Sequence, residues 1–324
     1  MDLLKNFEAY AHGVLTECEG IVRGYPSILL EEGMKYMEKL NLLAGGERKS
    51  GFSYLMPFWF REAFGLSEEV CHTIAVGNTF ALLYFMSQDD IYDSSIEDSK
   101  VELLPLSNMF YLDFIAYYRK LFDSSSVFWS YFESYIKQWA ENIVWEYQNI
   151  KGQAHEYEDE DFIRLSRKAA PLKIPYAALC LLAGKPEYIQ CFADMVDYDQ
   201  AAFQMIDDWR DWKKDIGEHN YTYLLTETAK YNKLDSPELL KEAHVKKAVY
   251  VGDVPDKVMN KAKGFVDKAR ACIAHIDIPY VSLYLDKETE ICDSILEKVK
   301  EEQSNMMGGG LGSLLSKLTQ NQSK

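Results

Sequence analysis

A chain of 324 residues that is 48% hydrophobic and 14% aromatic can bury a large core. Its 35 basic residues against 51 acidic ones leave a net charge of −16, which disfavours nucleic acid and anionic membrane surfaces as partners. The six cysteines (Cys18, Cys71, Cys180, Cys191, Cys272, Cys292) show neither CxxC nor Cys/His metal spacing, so packed, reduced thiols are expected.

Helical periodicity dominates and strand alternation is nearly absent. The acidic amphipathic start over 1–8 has no secretory apolar core, and no stretch reaches the ~18 uninterrupted apolar residues of a membrane span. A cytoplasmic protein is therefore expected. Helices are predicted at roughly 4–19, 26–43, 51–64, 68–92, 107–122, 127–150, 160–183, 187–214, 235–248, 254–275 and 284–302. Breaks fall at Gly24-Tyr25-Pro26, Gly45-Gly46, Asp123-Ser124-Ser125-Ser126, Gly184-Lys185-Pro186 and Gly252-Asp253-Val254-Pro255. These connections are too short to be interdomain linkers. The expectation is one all-α domain of about a dozen helices over 1–302, then a flexible tail over 303–324 containing Gly308-Gly309-Gly310.

Two aspartate clusters carry the chemistry. The first is Asp89-Asp90-Ile91-Tyr92-Asp93, closing the apolar run 75–86. The second is Asp207, Asp208, Asp211 and Asp215, following Ala201-Ala202-Phe203. Asp89 and Asp93 are one helical turn apart, as are Asp207, Asp211 and Asp215, so each set shares a face. Carboxylates on a face otherwise headed for a core are costly unless neutralised. Hard divalent cations do this, and Mg²⁺ typically joins one or two carboxylates to substrate phosphates. Asp89, Asp90, Asp93, Asp207, Asp211 and Asp215 are the candidate metal ligands. Phe80, Tyr84 and Phe85 precede the first cluster on the same helix, and aromatic faces can stabilise a desolvated cation. Trp209 and Trp212 point away from the second aspartate face at 100° per residue and are expected to pack.

These motifs resemble those of the trans-isoprenyl diphosphate synthases and the class I terpene synthases that share their fold. Asp89–Asp93 matches the first aspartate-rich motif, and Phe203-Gln204-Met205-Ile206-Asp207-Asp208-Trp209-Arg210-Asp211 matches FQxxDDxxD at every fixed position. Asp207, Asp211 and Asp215 also have the spacing of the terpene-synthase metal triad. Lys168-Ala169-Ala170-Pro171-Leu172 resembles KTxxL, whose lysine binds diphosphate, and Gly45-Gly46-Glu47-Arg48 resembles GGKR.

The resemblance implies a helical bundle around a central cavity. It implies three Mg²⁺ ions, replaceable by Mn²⁺, and a prenyl diphosphate substrate. Lys168 would bind the leaving group, with Arg48, Arg164, Arg167 and Gln204 as further substrate contacts. Tyr84 and Phe85 would form the pocket floor, and their bulk limits the chain to about ten to fifteen carbons, so to geranyl or farnesyl diphosphate. Pairing as a homodimer is compatible with it.

Three departures bear on the reaction. Elongating members have lysine at Glu47, an arginine pair at Asp98-Ser99 and a diphosphate-binding lysine at Asn220. Reversing one charge and removing bidentate donors erodes the second diphosphate site. The sequence therefore favours a class I terpene synthase that cyclises or quenches its cation. The alternative is a prenyltransferase acting on isopentenyl diphosphate or on an acceptor without diphosphate. A non-catalytic helical partner is disfavoured by the complete metal motifs, and a di-iron bundle by the lack of suitably placed Glu-x-x-His pairs.

Overall fold

The computed structural model describes residues 7–40, 52–93 and 101–321. Among these residues there are fourteen α-helices, short 3-10 turns and no strand. They form two compact units. The first comprises 1–136, 171–193 and 275–281, and the second 137–170, 194–274 and 282–324, within the limits of the described residues.

The first unit is built around α5 (Glu68–Asp93). Ser67 caps it, its hydroxyl oxygen accepting from the Val70 N–H at 3.2 Å, and Glu68 and Glu69 add negative charge at the positive helix end. By length and composition α5 could cross a membrane. Here it packs against α1 (Glu8–Val22), α3 (Phe52–Trp59), α6 (Leu103–Arg119) and α9 (Lys173–Leu182), as a central core helix does. Gly77 lets α6 approach closely, since a Cβ there would lie 3.1 Å from Tyr117 and Tyr118 atoms. Phe80, Phe110, Phe114, Tyr118 and Phe128 are fully buried, and the Tyr118 and Phe128 rings stack at 5.1 Å. Such aromatic pairs contribute roughly 0.5–1.5 kcal/mol beyond their buried area.

The second unit packs α10 (Ile189–Gly217, from Asp194 onward) with α11 (Tyr223–Tyr231), α12 (Glu242–Tyr250) and α14 (Pro279–Asn321, from Ser282 onward). Leu225, Ala229, Leu240, Val245, Val249 and Val299 form a core cluster, and Trp209, Trp212 and Ile216 pack against it. The two tryptophans are therefore packing residues, as their helical phase predicts. A second apolar centre joins Phe162 of α8 (Asp159–Ser166) to Tyr223 at 5.1 Å and to Phe265 of α13 (Val254–Cys272) at 5.5 Å.

Two differences from the sequence expectation have local causes. The helix predicted over 160–183 is interrupted by a 3-10 turn at Arg167–Leu172, because Pro171 has no N–H to donate and its ring crowds the preceding turn. The short helix α11 escapes the periodicity reading because Thr and Tyr are indifferent helix formers. Burial of Leu224, Leu225 and Ala229 supplies its stability. Helix α14 is helical through Asn321, across the stretch where the sequence suggests a flexible tail.

Candidate active site

In the first unit, Phe80, Tyr84, Phe85, Asp89, Asp90 and Asp93 lie on the last four turns of α5. Asp89 and Asp90 are exposed at its end. The side chain of Asp93, and all of Glu47, Arg48, Asp98 and Ser99, lie outside the described residues. Asp90 faces α2 (Ser27–Lys39). It accepts a hydrogen bond from the Tyr36 hydroxyl and another from Lys39 Nζ at 2.9 Å. Lys39 also sits 4.2 Å from the Tyr36 ring centroid. Burial and the Asp90 charge both push the Tyr36 hydroxyl pKa up, so it stays a donor. Asp90 thus anchors the helix end, while Asp89 lies 100° away around the axis.

Tyr84 and Phe85 are half-buried one turn below Asp89, with ring centroids 4.8 Å apart, and Tyr111 lies 4.9 Å from Tyr84. Phe80 is placed differently. It is fully buried with Tyr117 at 6.2 Å, and it is core packing here rather than an open pocket wall.

In the second unit, α10 carries Asp207, Asp211 and Asp215 on successive turns. Burial first, and the Asp211 charge second, raise the Asp207 pKa. Asp215 is 7% exposed and its pKa is pushed up to about 6, by burial chiefly and by Asp211 and Glu218 in addition. Its Oδ1 accepts from Asn220 Nδ2 at 2.9 Å, while its buried Oδ2 has no hydrogen-bond partner. Asn220 is brought back onto Asp215 by the helix end. His219 adopts φ +56°, and the Asn220 N–H bonds the Asp215 carbonyl at 2.8 Å. A non-glycine residue in this conformation costs roughly 1–2 kcal/mol. Asn220 therefore orients Asp215, at the place where elongating synthases present a lysine to diphosphate.

Asp208 belongs to a different face. Gln204 Nε2 donates to its Oδ1 at 2.8 Å, and its pKa is pushed up to about 7 by burial and by the Asp215 and Asp207 charges, against the opposing charge of Lys168. Lys168 bonds Glu146 of α7 (Phe128–Asn149) at 2.6 Å. Arg164 lies 4.4 Å over the ring of Trp145, the residue before Glu146, so Arg164 and Lys168 both face α7. Arg167 turns instead to Asp197, with Nε 3.4 Å from Oδ2. The Lys168 charge acts on Asp208 of the second aspartate cluster.

The donor set suits a hard cation. Its carboxylates are crowded, partly buried and left with an orphaned oxygen at Asp215, a pattern that favours a divalent ion over water. Among the described residues no three His, Cys, Asp or Glu side chains converge tightly enough to hold a metal unaided. Mg²⁺ characteristically completes its shell with water and substrate phosphate oxygens.

Sequence reasoning missed Tyr36, Glu146 and Tyr157. Tyr157 donates to the Tyr221 carbonyl at 3.0 Å. Burial, with the charges of Asp208, Glu146, Asp161 and Asp215, drives its hydroxyl pKa upward. The available signal for Glu146 was a lone acid in the aromatic-rich run Trp145-Glu146-Tyr147.

No family model and no curated protein matches the sequence. Solved structures do match over nearly the whole chain. The polyprenyl synthase of Caulobacter crescentus, a complex with calcium and isoprenyl diphosphate, is 17% identical with a TM-score of 0.69, covering 90% of this chain and 96% of its own. The geranylgeranyl pyrophosphate synthetase of the archaeon Geoglobus acetivorans is 17% identical with a TM-score of 0.70, covering 91% and 98%. This chain has the isoprenoid synthase fold. The geranylgeranyl pyrophosphate synthase of Lactobacillus brevis agrees, at 12% identity and a TM-score of 0.68, covering 92% and 100%. The all-α fold class is borne out, and so is the fold that the resemblance implies.

Proposed function

We propose that this chain is a divalent-metal-dependent prenyltransferase that ionises a prenyl diphosphate, with geranyl or farnesyl diphosphate as the donor. The observation that carries the reading is the α10 face: Asp207, Asp211 and Asp215 in register, with a buried Asp215 oxygen lacking a partner. It is supported by the intact FQxxDDxxD motif and by structural neighbours named as a polyprenyl synthase and a geranylgeranyl pyrophosphate synthetase. This reading puts first the alternative drawn from the sequence, which had preferred cyclisation.

Bound Mg²⁺ would supply charge neutralisation for the departing diphosphate as its carbon–oxygen bond breaks. Asp207, Asp211 and Asp215 would hold it in the second unit, and Asp89 and Asp93 are the further ligands that the motif resemblance implies. Lys168 places a positive charge on the leaving group, and the carbocation is shielded from water by Tyr84 and Phe85, whose faces attract cations. Asp90 and Asn220 keep their neighbours oriented. A cytoplasmic location and pairing as a homodimer are compatible with this reading.

Cyclisation or quenching of the cation is the second reading, favoured by Glu47 and by Asp98-Ser99. These put negative or neutral groups where a second diphosphate needs cations. Incubation with Mg²⁺, geranyl or farnesyl diphosphate and labelled isopentenyl diphosphate separates the two. An elongated diphosphate supports transfer to isopentenyl diphosphate, and release of diphosphate only when a further small molecule is added supports transfer to an acceptor without diphosphate. Released inorganic diphosphate with a hydrocarbon or alcohol supports cyclisation. Absence of turnover with every prenyl diphosphate, with and without acceptor, overturns both.

A further inference from the structure

The ammonium assigned to the diphosphate is already engaged. Lys168 Nζ lies 2.6 Å from Glu146 Oε1, and the two side chains are 23% and 20% exposed, so the pair is largely sheltered from solvent screening. The neighbouring cations turn to other partners, Arg164 to the Trp145 ring and Arg167 to Asp197. Lys168 also acts on Asp208, so its charge reaches the second aspartate cluster. A lysine has three N–H donors, and here at least one is committed to a carboxylate. Any diphosphate that uses Lys168 must share it with Glu146 or displace it, against the repulsion between the carboxylate and a group carrying about three negative charges.

We propose that Glu146 is a positioning residue for Lys168 and an internal competitor for the diphosphate. Between turnovers it holds the lysine ammonium within reach of α10. With diphosphate bound it weakens that interaction, and so speeds release of the product anion. The inference rests on the functional reading above, specifically on Lys168 as a diphosphate ligand.

The test is calorimetric titration of inorganic diphosphate, in excess Mg²⁺, into wild-type protein and into Glu146→Gln, Glu146→Asp and Lys168→Ala. Removing the Glu146 charge should tighten binding by about 1.5- to fivefold, the range for a partly exposed ion pair. KM for the prenyl diphosphate should fall together with kcat, and Glu146→Asp should behave as wild type. General structural damage would have the opposite sign, weakening binding and lowering Tm. Should Glu146→Gln fold poorly, Glu146→Ala must show the same tightening. If Lys168→Ala binds weakly but Glu146→Gln binds no more tightly than wild type, the inference is overturned and the functional reading survives. If Lys168→Ala binds as well as wild type, Lys168 is not a diphosphate ligand, and the inference falls with that assignment.

Discussion

Replacing Asp215 by Asn should stabilise the metal-free protein while disabling it. Asp215 is buried, and burial with the nearby Asp211 and Glu218 charges raises its pKa from 3.8 to about 6. The unfolded chain keeps the ordinary value. Below about pH 4 the group is protonated in both states and costs nothing. As pH rises through 6 the folded protein must hold a carboxylate that the unfolded chain holds more easily, and stability is lost. At 1.36 kcal/mol per pH unit, the rise from 3.8 to about 6 caps this penalty at about 3 kcal/mol. Asn keeps an oxygen to accept the Asn220 bond and removes the charge. In chelator at pH 7.5 the variant should therefore unfold about 2–6 °C higher, at about 2 °C per kcal/mol for a protein of this size. The gap should close by pH 4. Mg²⁺ with inorganic diphosphate should raise the wild-type Tm and leave the variant nearly unmoved. Differential scanning fluorimetry across pH 4–8 reads all three. A variant less stable than wild type at pH 7.5 in chelator, or a gap independent of pH, would refute the account of a face strained by uncompensated charge.

Glu288 provides a control for that reasoning. It is 6% exposed, and burial together with the Asp199 charge raises its pKa from 4.5 to about 8. Glu288→Gln should stabilise the protein above pH 8, lose that advantage below pH 4.5, and leave turnover intact, as melting curves and an activity assay would show. Asp89→Ala and Asp207→Ala should each cost at least ~10²-fold in turnover of a prenyl diphosphate. Full activity in either variant, or in chelator, contradicts the metal assignment. Tyr84→Ala and Phe85→Ala should shift acceptance toward twenty-carbon substrates. Unchanged length preference in folded variants would remove these rings from the pocket floor. Isopentenyl diphosphate should be a poor acceptor because Glu47 and Asp98-Ser99 lack the cations a second diphosphate needs, with repulsion on the order of several kcal/mol in a desolvated site. A competition assay showing efficient elongation would reverse that expectation.

The fold class was legible in the chain because helical periodicity is a local property. The run 75–86 and the spacing of Asp207, Asp211 and Asp215 fix helices and faces without reference to any partner. The inert role of Trp209 and Trp212 followed from the same 100° step. What could not be read was which polar group meets which across helices. Asp90 belongs to a DDxxD motif by sequence, yet Tyr36 and Lys39 of another helix claim it. Phe80 shares a helix with Tyr84 and Phe85, but α6 packs over it and buries it. The break at Arg167–Leu172 sends Arg167 to Asp197 and leaves Lys168 on Glu146, a residue more than five helical turns upstream in sequence. Local spacing determines the face on which a side chain emerges. Its charge state and its partner are set by burial and by residues far away in the chain, and for Asp90, Asp215 and Lys168 those were decided by tertiary packing.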